Sequence, residues 1–345
     1  YLDETVGQYA RRRLGRDAAE LLVDPVISGI YAGDVDRLSL RAVVPHLADL
    51  EGNKQSLLMA LIQARAHKET PSASPSAVGR RRYVSFSRGL SQLTQTLERT
   101  LRPIIETQSP ALSVNKDDNG WVVQVGGPNP REINADVVIS AAPAPSASQY
   151  LRGINPHIDT VLNAVPYAPV AVVALGYREA NVPHPLTGFG YLVPRREGGS
   201  VLGVLWNSSI FPGHRSSKSK VLLQAILGGT RNPRICQEDD ETLIRKARVQ
   251  INQAMGINVR PAMAQVYRHS LGIPQYEVGH LDRVAQSEAA LLQHPGLFLT
   301  GNALRGIGIN ACTADAENIA DAVACYVGAL EDVNGQSYDY PVHGA

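Results

Sequence analysis

The sequence predicts a mixed chain in which an α+β layer is attached to an α/β layer. Three observations carry that expectation. From about residue 165 to 230 the texture is β, with PVAVVALGYRE, GFGYLVPRREGGSVLGVLWNSSIF and SKVLLQAILGGT separated by Gly and Pro turns. From Leu297 to Val323, LFLTGNALRGIGINACTADAENIADAV reads as a short apolar strand, a glycine loop and a long helix rich in small residues. A chain of 345 residues that is 44% hydrophobic also has enough apolar material for more than one core.

In chain order, residues 1 to about 68 read as helical. TVGQYARRRLG, AAELLVDPVISGIY and SLLMALIQARAH carry apolar positions at three- and four-residue steps, punctuated by Gly15, Gly29, Gly33 and Pro45. ETPSASPSAVGRRR, Glu69 to Arg82, is rich in Ser, Pro and Ala and reads as a flexible excursion. SFSRGLSQLTQTLERTLRP fits an amphipathic helix ending at Pro103. PALSVNKDDNGWVVQVGG reads as a hairpin around Asp117-Asp118-Asn119-Gly120. Asp136–Ser140 reads as a buried strand leading into a proline-broken loop. After the β-rich zone come a helix, ETLIRKARVQINQAMG, a strand, RPAMAQVYRHS, and a helix, SEAALLQHPG, that feeds the glycine loop.

Composition excludes several classes of function. With 33 basic and 32 acidic residues there is no strongly basic face for nucleic acid, and RRLGR (Arg12–Arg16) and GRRRY (Gly79–Tyr83) are local clusters of the kind usually found on solvated surface. Cys236, Cys312 and Cys325 are widely spaced, and neither they nor the nine histidines have metal-ligand spacing. No apolar run approaches the ~18 residues of a spanning helix. The chain begins at Tyr1 rather than Met and carries no targeting peptide, as expected of a piece of a longer protein.

The chemistry-bearing motif is the glycine loop. Glycines at 301, 306 and 308 allow positive φ or close approach of backbone to a ligand. The N-terminal N–H groups of the following helix form a seat for an electron-rich group. An ordinary αβ turn that happens to be glycine-rich is the other reading. Asp34, Asp36, Asp282 and His280 lie in these motif segments, but nothing pairs them into a catalytic dyad.

Several segments in a fixed order resemble the protoporphyrinogen oxidase family, flavoenzymes of haem synthesis in the amine-oxidase-like superfamily. They are VISGIYAGDVDRLSLRAVVP (Val26–Pro45), DVVISAAPA (Asp136–Ala144), GFGYLVP with VLGVLWNSSIFP (Gly188–Pro212), AILGGT (Ala225–Thr230), IPQYEVGHLDRV (Ile273–Val284) and LTGNALRGIGINAC (Leu299–Cys312). The resemblance implies FAD as cofactor and a fold of three parts. Residues 1–83 would be a helical, membrane-associating insertion that also borders the substrate cavity. Residues 84–144 and 286–345 would be segments of a partial, Rossmann-like (p-hydroxybenzoate-hydroxylase-like) FAD domain and tail, and 145–285 a β-rich substrate domain.

The resemblance also assigns roles. Ile307, Gly308 and Ile309, with Gly306 before them, would meet the flavin ring through backbone groups, and helix capping is the alternative. Ser109 would meet the adenine end. Gly29 would turn a carbonyl towards a pyrrole N–H, with a helix C-cap glycine as the alternative, and Val26 would line the same cavity. Phe189 and Gly190 would sandwich the macrocycle, with Leu205 and Ile226 as further wall positions; core packing is the alternative for each. The implied reaction is the six-electron oxidation of protoporphyrinogen IX to protoporphyrin IX, with oxygen as acceptor. The implied setting is monotopic attachment to the mitochondrial inner membrane, with Arg11, Arg12 and Arg13 towards lipid, and a homodimer.

The family's strand–GxGxxG–helix does not occur in this sequence. The expectation is therefore that this chain alone holds FAD poorly. Competing readings are another flavoenzyme of the superfamily, such as an amine oxidase or carotenoid desaturase, and a non-catalytic binding module.

Overall fold

The computed structural model describes residues 3–45, 47–48, 84–118 and 120–334. The expected helix over SLLMALIQARAH and the Ser/Pro-rich excursion lie outside the described residues.

Local chemistry explains the first elements. Helix α1 (Val6–Leu14) starts at a capping box, in which Thr5 Oγ1 accepts from the Gln8 N–H and Gln8 Oε1 accepts from the Thr5 N–H, both at 3.0 Å. It stops at Gly15, where φ is +83°. A short α2 (Arg16–Ala18) runs through a π-helical turn at Ala19–Val23 into α3 (Asp24–Tyr31), which has Pro25 in its first turn and ends on left-handed Ala32. Then follow α4 (Leu40–Val43), α5 (Ser91–Leu101), β1 (Ala111–Asp117), β2 (Gly120–Val125), β3 (Arg131–Ala135), β4 (Val138–Ser140), α6 (Ala144–Tyr150) and α7 (Pro156–Asn163). The second half comprises β5 (Tyr167–Arg178), β6 (Gly190–Leu192), β7 (Val201–Leu205), α8 (Asn207–Ile210), β8 (Lys220–Gly228), α9 (Asp240–Met255), β9 (Met263–Pro274), α10 (His280–Leu291), β10 (Leu297–Leu299) and α11 (Ile309–Asn334).

The chain divides into two compact units. The first takes Tyr1–Ile105 and Tyr167–Gly279, the second Glu106–Pro166 and His280–Ala345. In the first, five antiparallel strands run in the order β6-β7-β8-β5-β9. Alternation along β5 and β8 sends Val173, Leu175, Tyr177, Leu223, Ala225 and Leu227 to one face. There they pack with Leu243, Ala247 and Ile251, spaced four apart on α9. The opposite face carries Val172, Ala174, Gln224 and Ile226, all half-buried.

Residues of the N-terminal helical segment belong to the same compact unit as this sheet. Gln275 Nε2 donates to the Tyr31 carbonyl at 2.8 Å, and the Thr230 N–H to the Ala32 carbonyl at 2.9 Å. Arg231 reaches back to grip Asp24 with both terminal nitrogens, at 2.6 and 2.9 Å, and Asp34 at 2.8 Å. The arginines expected to face lipid are partly spent on carboxylates, since Arg11 pairs with Asp36 at 2.7 Å and Arg12 with Glu4 at 2.5 Å. No described helix is long and apolar enough to cross a membrane.

The second unit contains a three-stranded antiparallel sheet, β1-β2-β3, and a two-stranded parallel one, β10-β4. The expected hairpin is thus the first part of a meander. The strand expected over Asp136–Ser140 is shorter, Val138–Ser140, and Ile139 within it is 48% exposed rather than buried. The reason is a change of partner at Asp136: β3 pairs with β2, and β4 pairs with β10. Trp121, buried on β2, donates from Nε1 to the Pro295 carbonyl at 3.2 Å.

Asp24 is buried, so removing its partner leaves an uncompensated charge. Arg231→Ala is expected to lower unfolding free energy by about 3–5 kcal/mol, read from urea melts. The acid limb gives a second check. Burial pushes the Asp34 carboxyl up, but Arg231 and the Asp36 N–H more than offset this and hold it below its ordinary value. Its contribution is therefore complete above about pH 4 and is lost as pH falls through the lowered folded value. Arg231→Ala should flatten that acid-side slope.

Candidate functional site

The site-bearing residues fall into two groups, one in each unit. In the first unit the sheet face opposite α9 is laid out by the pairing register. Gly190 pairs with Leu205, Leu205 with Gln224, and Gln224 with Ala174. One step along, Leu192 pairs with Gly203, Gly203 with Ile226, and Ile226 with Val172. Residues paired across antiparallel strands share a face, so Leu205 and Ile226 point the same way. Helix α3 lies on that same face. A Cβ on Gly29 would sit 2.5 Å from Leu192 Cδ2, and the missing side chain is what lets the helix approach so closely.

The structure therefore brings together Gly29, Gly190, Leu205 and Ile226 around Leu192 and Gln224. Val26 lies on α3 one turn from Ile30, and both are exposed. The C-cap alternative for Gly29 fails: α3 continues to Tyr31, and the cap is Ala32, φ 48°. Gly190 has φ +140°, and a Cβ there would lie 2.0 Å from the Val204 carbonyl oxygen, so only glycine fits. Phe189 fixes its backbone by accepting from the Trp206 N–H at 2.8 Å while its ring is 52% exposed. Leu205 is at the rim of exposure and Ile226 is half-buried, so the core-packing alternative holds for neither in full.

In the second unit the glycine loop leaves β10 and enters α11. Each of its turns is held by a named contact. The Thr300 N–H donates to the Ser140 carbonyl at 3.0 Å. Buried His280 places Nε2 3.0 Å from the Leu304 carbonyl, so that nitrogen carries the hydrogen. Arg305 donates to Glu288 at 2.6 Å and to buried Asp315 at 3.2 Å, and Thr300 Oγ1 donates to Asp315 at 2.5 Å.

Beyond that clamp the backbone is bare. Gly306 needs its glycine: φ is +78°, and a Cβ there would stand only 2.4 Å from Ala311 Cβ. Gly308 differs, because nothing lies within 4 Å of where its Cβ would be and its backbone is not left-handed. The Cys312 N–H closes the first helical turn on the Gly308 carbonyl at 3.0 Å. The N–H groups ahead of it are those an α-helix leaves without intrahelical partners, and no acidic side chain occupies the first turn. Ile307 is half-buried, and Ile309 is 47% exposed. The arrangement can receive a flat, electron-rich group against Gly308. Ser109 lies elsewhere in this unit, just before β1, where its hydroxyl bonds within its own turn to the Thr107 carbonyl at 3.3 Å.

Sequence reading missed the side chains that hold these groups. Arg231, Arg305 and Asp315 lie in or beside the motif segments, but no local periodicity pairs Arg305 with Asp315, and the partners of Arg231, Asp24 and Asp34, are distant in the chain. Asp34 and Asp36 serve ion pairs, to Arg231 and Arg11 respectively, rather than a dyad. Among the described residues no cluster of His, Cys, Asp and Glu could hold a metal.

Comparison with known proteins finds relatives of this chain. Residues 1–324 match the model of the flavin-containing amine oxidoreductases. The chain is 29% identical to the coproporphyrinogen III oxidase of Bacillus subtilis over 311 residues, covering 90% of this chain and 65% of that protein. It is 32% identical to the protoporphyrinogen oxidase of Bos taurus over 335 residues, covering 93% of this chain and 69% of that one. The chain thus spans less than two thirds of the Bacillus protein. The crystal structure of an Exiguobacterium protein assigned as a protoporphyrinogen oxidase superposes with a TM-score of 0.74 at 26% identity, covering 93% of this chain and 67% of that one.

Two outcomes check the loop. Gly306→Ala should cost about 1–3 kcal/mol of stability, whereas Gly308→Ala should stay within about 0.5 kcal/mol, both read by urea unfolding. Burial lowers the His280 pKa more than its bond to the Leu304 carbonyl raises it. Stability linked to His280 is therefore complete above the ordinary value of about 6.5 and falls as pH drops through it towards the folded value. Amide exchange at residues 299–306, corrected for intrinsic rates, should quicken below about pH 6, and His280→Gln should remove the effect.

Proposed function

This chain belongs to the flavin-containing amine oxidoreductase family, and from that premise we propose that it forms part of an FAD-dependent oxidase of porphyrinogens, converting protoporphyrinogen IX to protoporphyrin IX with oxygen as acceptor. The observation that supports this reading is the apolar sheet face on which Leu205, Ile226, Gly190 and Gly29 of α3 converge. That face suits a large, flat, hydrophobic macrocycle, and exposed Phe189 offers a ring for stacking.

The residues fit the flavin in part. Gly308 with the open first turn of α11 would hold the electron-rich edge of the ring system through backbone N–H groups, and Ile307, Ile309 and Gly306 would shape that edge. Ser109 would reach the adenine end. Bound FAD supplies the hydride-accepting chemistry. This chain's own residues bind and orient: the apolar face keeps water from the reacting carbons, and the Gly29 carbonyl would accept from a pyrrole N–H. No side chain of the face is a general base, so its work is positioning.

Residues 1–83 as a membrane-associating insertion, 84–144 and 286–345 as FAD-domain segments, and 145–285 as the substrate domain form part of the same proposal. So do monotopic attachment to the mitochondrial inner membrane and a homodimer. Family resemblance supports them.

The test is turnover by the protein encoded by the complete gene. Growth of porphyrin fluorescence from protoporphyrinogen IX is expected, with no oxidation of an amine panel. Amine turnover without porphyrin growth would sink the reading. Gly308→Val should weaken flavin retention roughly tenfold, a loss of about 1.4 kcal/mol, while leaving the melting curve close to wild type.

A further inference from the structure

The sheet face carries a bonded pair of amide side chains to which neither the motifs nor the family reading assigns a role. Gln224 stands in β8 between Leu222 and Ile226, opposite Leu205 on one side and Ala174 on the other. Asn207, two residues past Leu205, opens α8 and donates from Nδ2 to Gln224 Oε1 at 2.6 Å. Both side chains are half-buried. A neighbouring bond, from the Leu222 N–H to Ser208 Oγ at 3.3 Å, holds α8 against the same strand.

Two primary amides joined by one hydrogen bond leave capacity unused. Each carries two N–H donors and a carbonyl with two lone pairs. With Gln224 Oε1 engaged by Asn207, Gln224 Nε2 makes no hydrogen bond among the described residues, and it stands between Leu205 and Ala174 in a row that ends on Gln265 of β9. Burying such a donor under an apolar ligand without a partner weakens that ligand, because the group loses its water and gains nothing in return. A ligand that brings an anionic acceptor to the same spot instead gains a charge-assisted bond.

We propose that the Asn207–Gln224 pair is a specificity determinant that selects macrocycles bearing a free carboxylate at the rim, with Asn207 orienting Gln224 and Gln224 Nε2 donating to a carboxylate oxygen. The proposal rests on the porphyrinogen reading above. It concerns recognition and involves no bond-making step.

The experiment titrates the protein encoded by the complete gene with protoporphyrin IX and, separately, with its dimethyl ester, followed by Soret absorbance in a mild detergent. The wild type should bind the free acid about tenfold more tightly than the ester. Gln224→Glu keeps the shape and the bond from Asn207 but replaces the donor with a negative oxygen. It should weaken the free acid at least tenfold and leave the ester nearly unchanged. Gln224→Leu should bring the two ligands to equal affinity, and Asn207→Ala should erode the preference through loss of orientation. A merely structural amide pair would shift both ligands together or neither, and that result overturns the proposal. If the wild type binds neither porphyrin, the substrate reading and this inference fall together. If it binds both and Gln224→Glu leaves their ratio unchanged, only the inference falls.

Discussion

The Arg231 guanidinium is the contact on which the geometry of the first unit depends. Asp24 is the first residue of α3, and Asp34 lies just beyond its end, so one side chain on the loop after β8 grips the helix at both ends. The backbone reinforces it: the Thr230 N–H bonds to the Ala32 carbonyl, and Gly229 leaves room where a Cβ would stand 2.5 Å from that oxygen. Buried ion pairs of this kind contribute little net stability, because desolvation offsets much of the Coulomb gain. What they do is fix one arrangement, since any other placement of α3 strands Asp24 without its partner. Gly29 stands against Leu192 of the sheet face because Arg231 holds the helix there.

The second unit uses the same device on a smaller scale. Arg305 spans Glu288 and Asp315, Thr300 completes Asp315, and His280 caps the Leu304 carbonyl. These contacts immobilise the loop up to Gly306 and stop short of Gly308 and the first turn of α11. A ligand platform of backbone N–H groups needs rigid support behind it and empty space before it. Both sites thus join polar clamps on one side to unencumbered surface on the other.

Much of the architecture was legible in the chain. The alternation of β5 and β8, the four-residue spacing on α9, and the strand, glycine loop and helix at 297–323 are local patterns, and each element forms where its pattern lies. The failures share one cause. The strand expected at Asp136–Ser140 is shortened and half-exposed because periodicity cannot report a change of partner, and β3 and β4 belong to different sheets. Gly29 read equally well as a cap, since its packing against Leu192 is contributed by a strand more than 150 residues away.

By itself the sequence determined which segments become strand or helix and the family the chain belongs to, because these are properties of short stretches of residues in order. Only the tertiary structure decided which side chains meet. Arg231 with Asp24 and Asp34, Arg305 with Asp315, and Asn207 with Gln224 are pairings set by sheet register and helix docking. Electrostatic and hydrogen-bonding choices of this kind act over a few ångströms in space, and sequence separation carries no record of them.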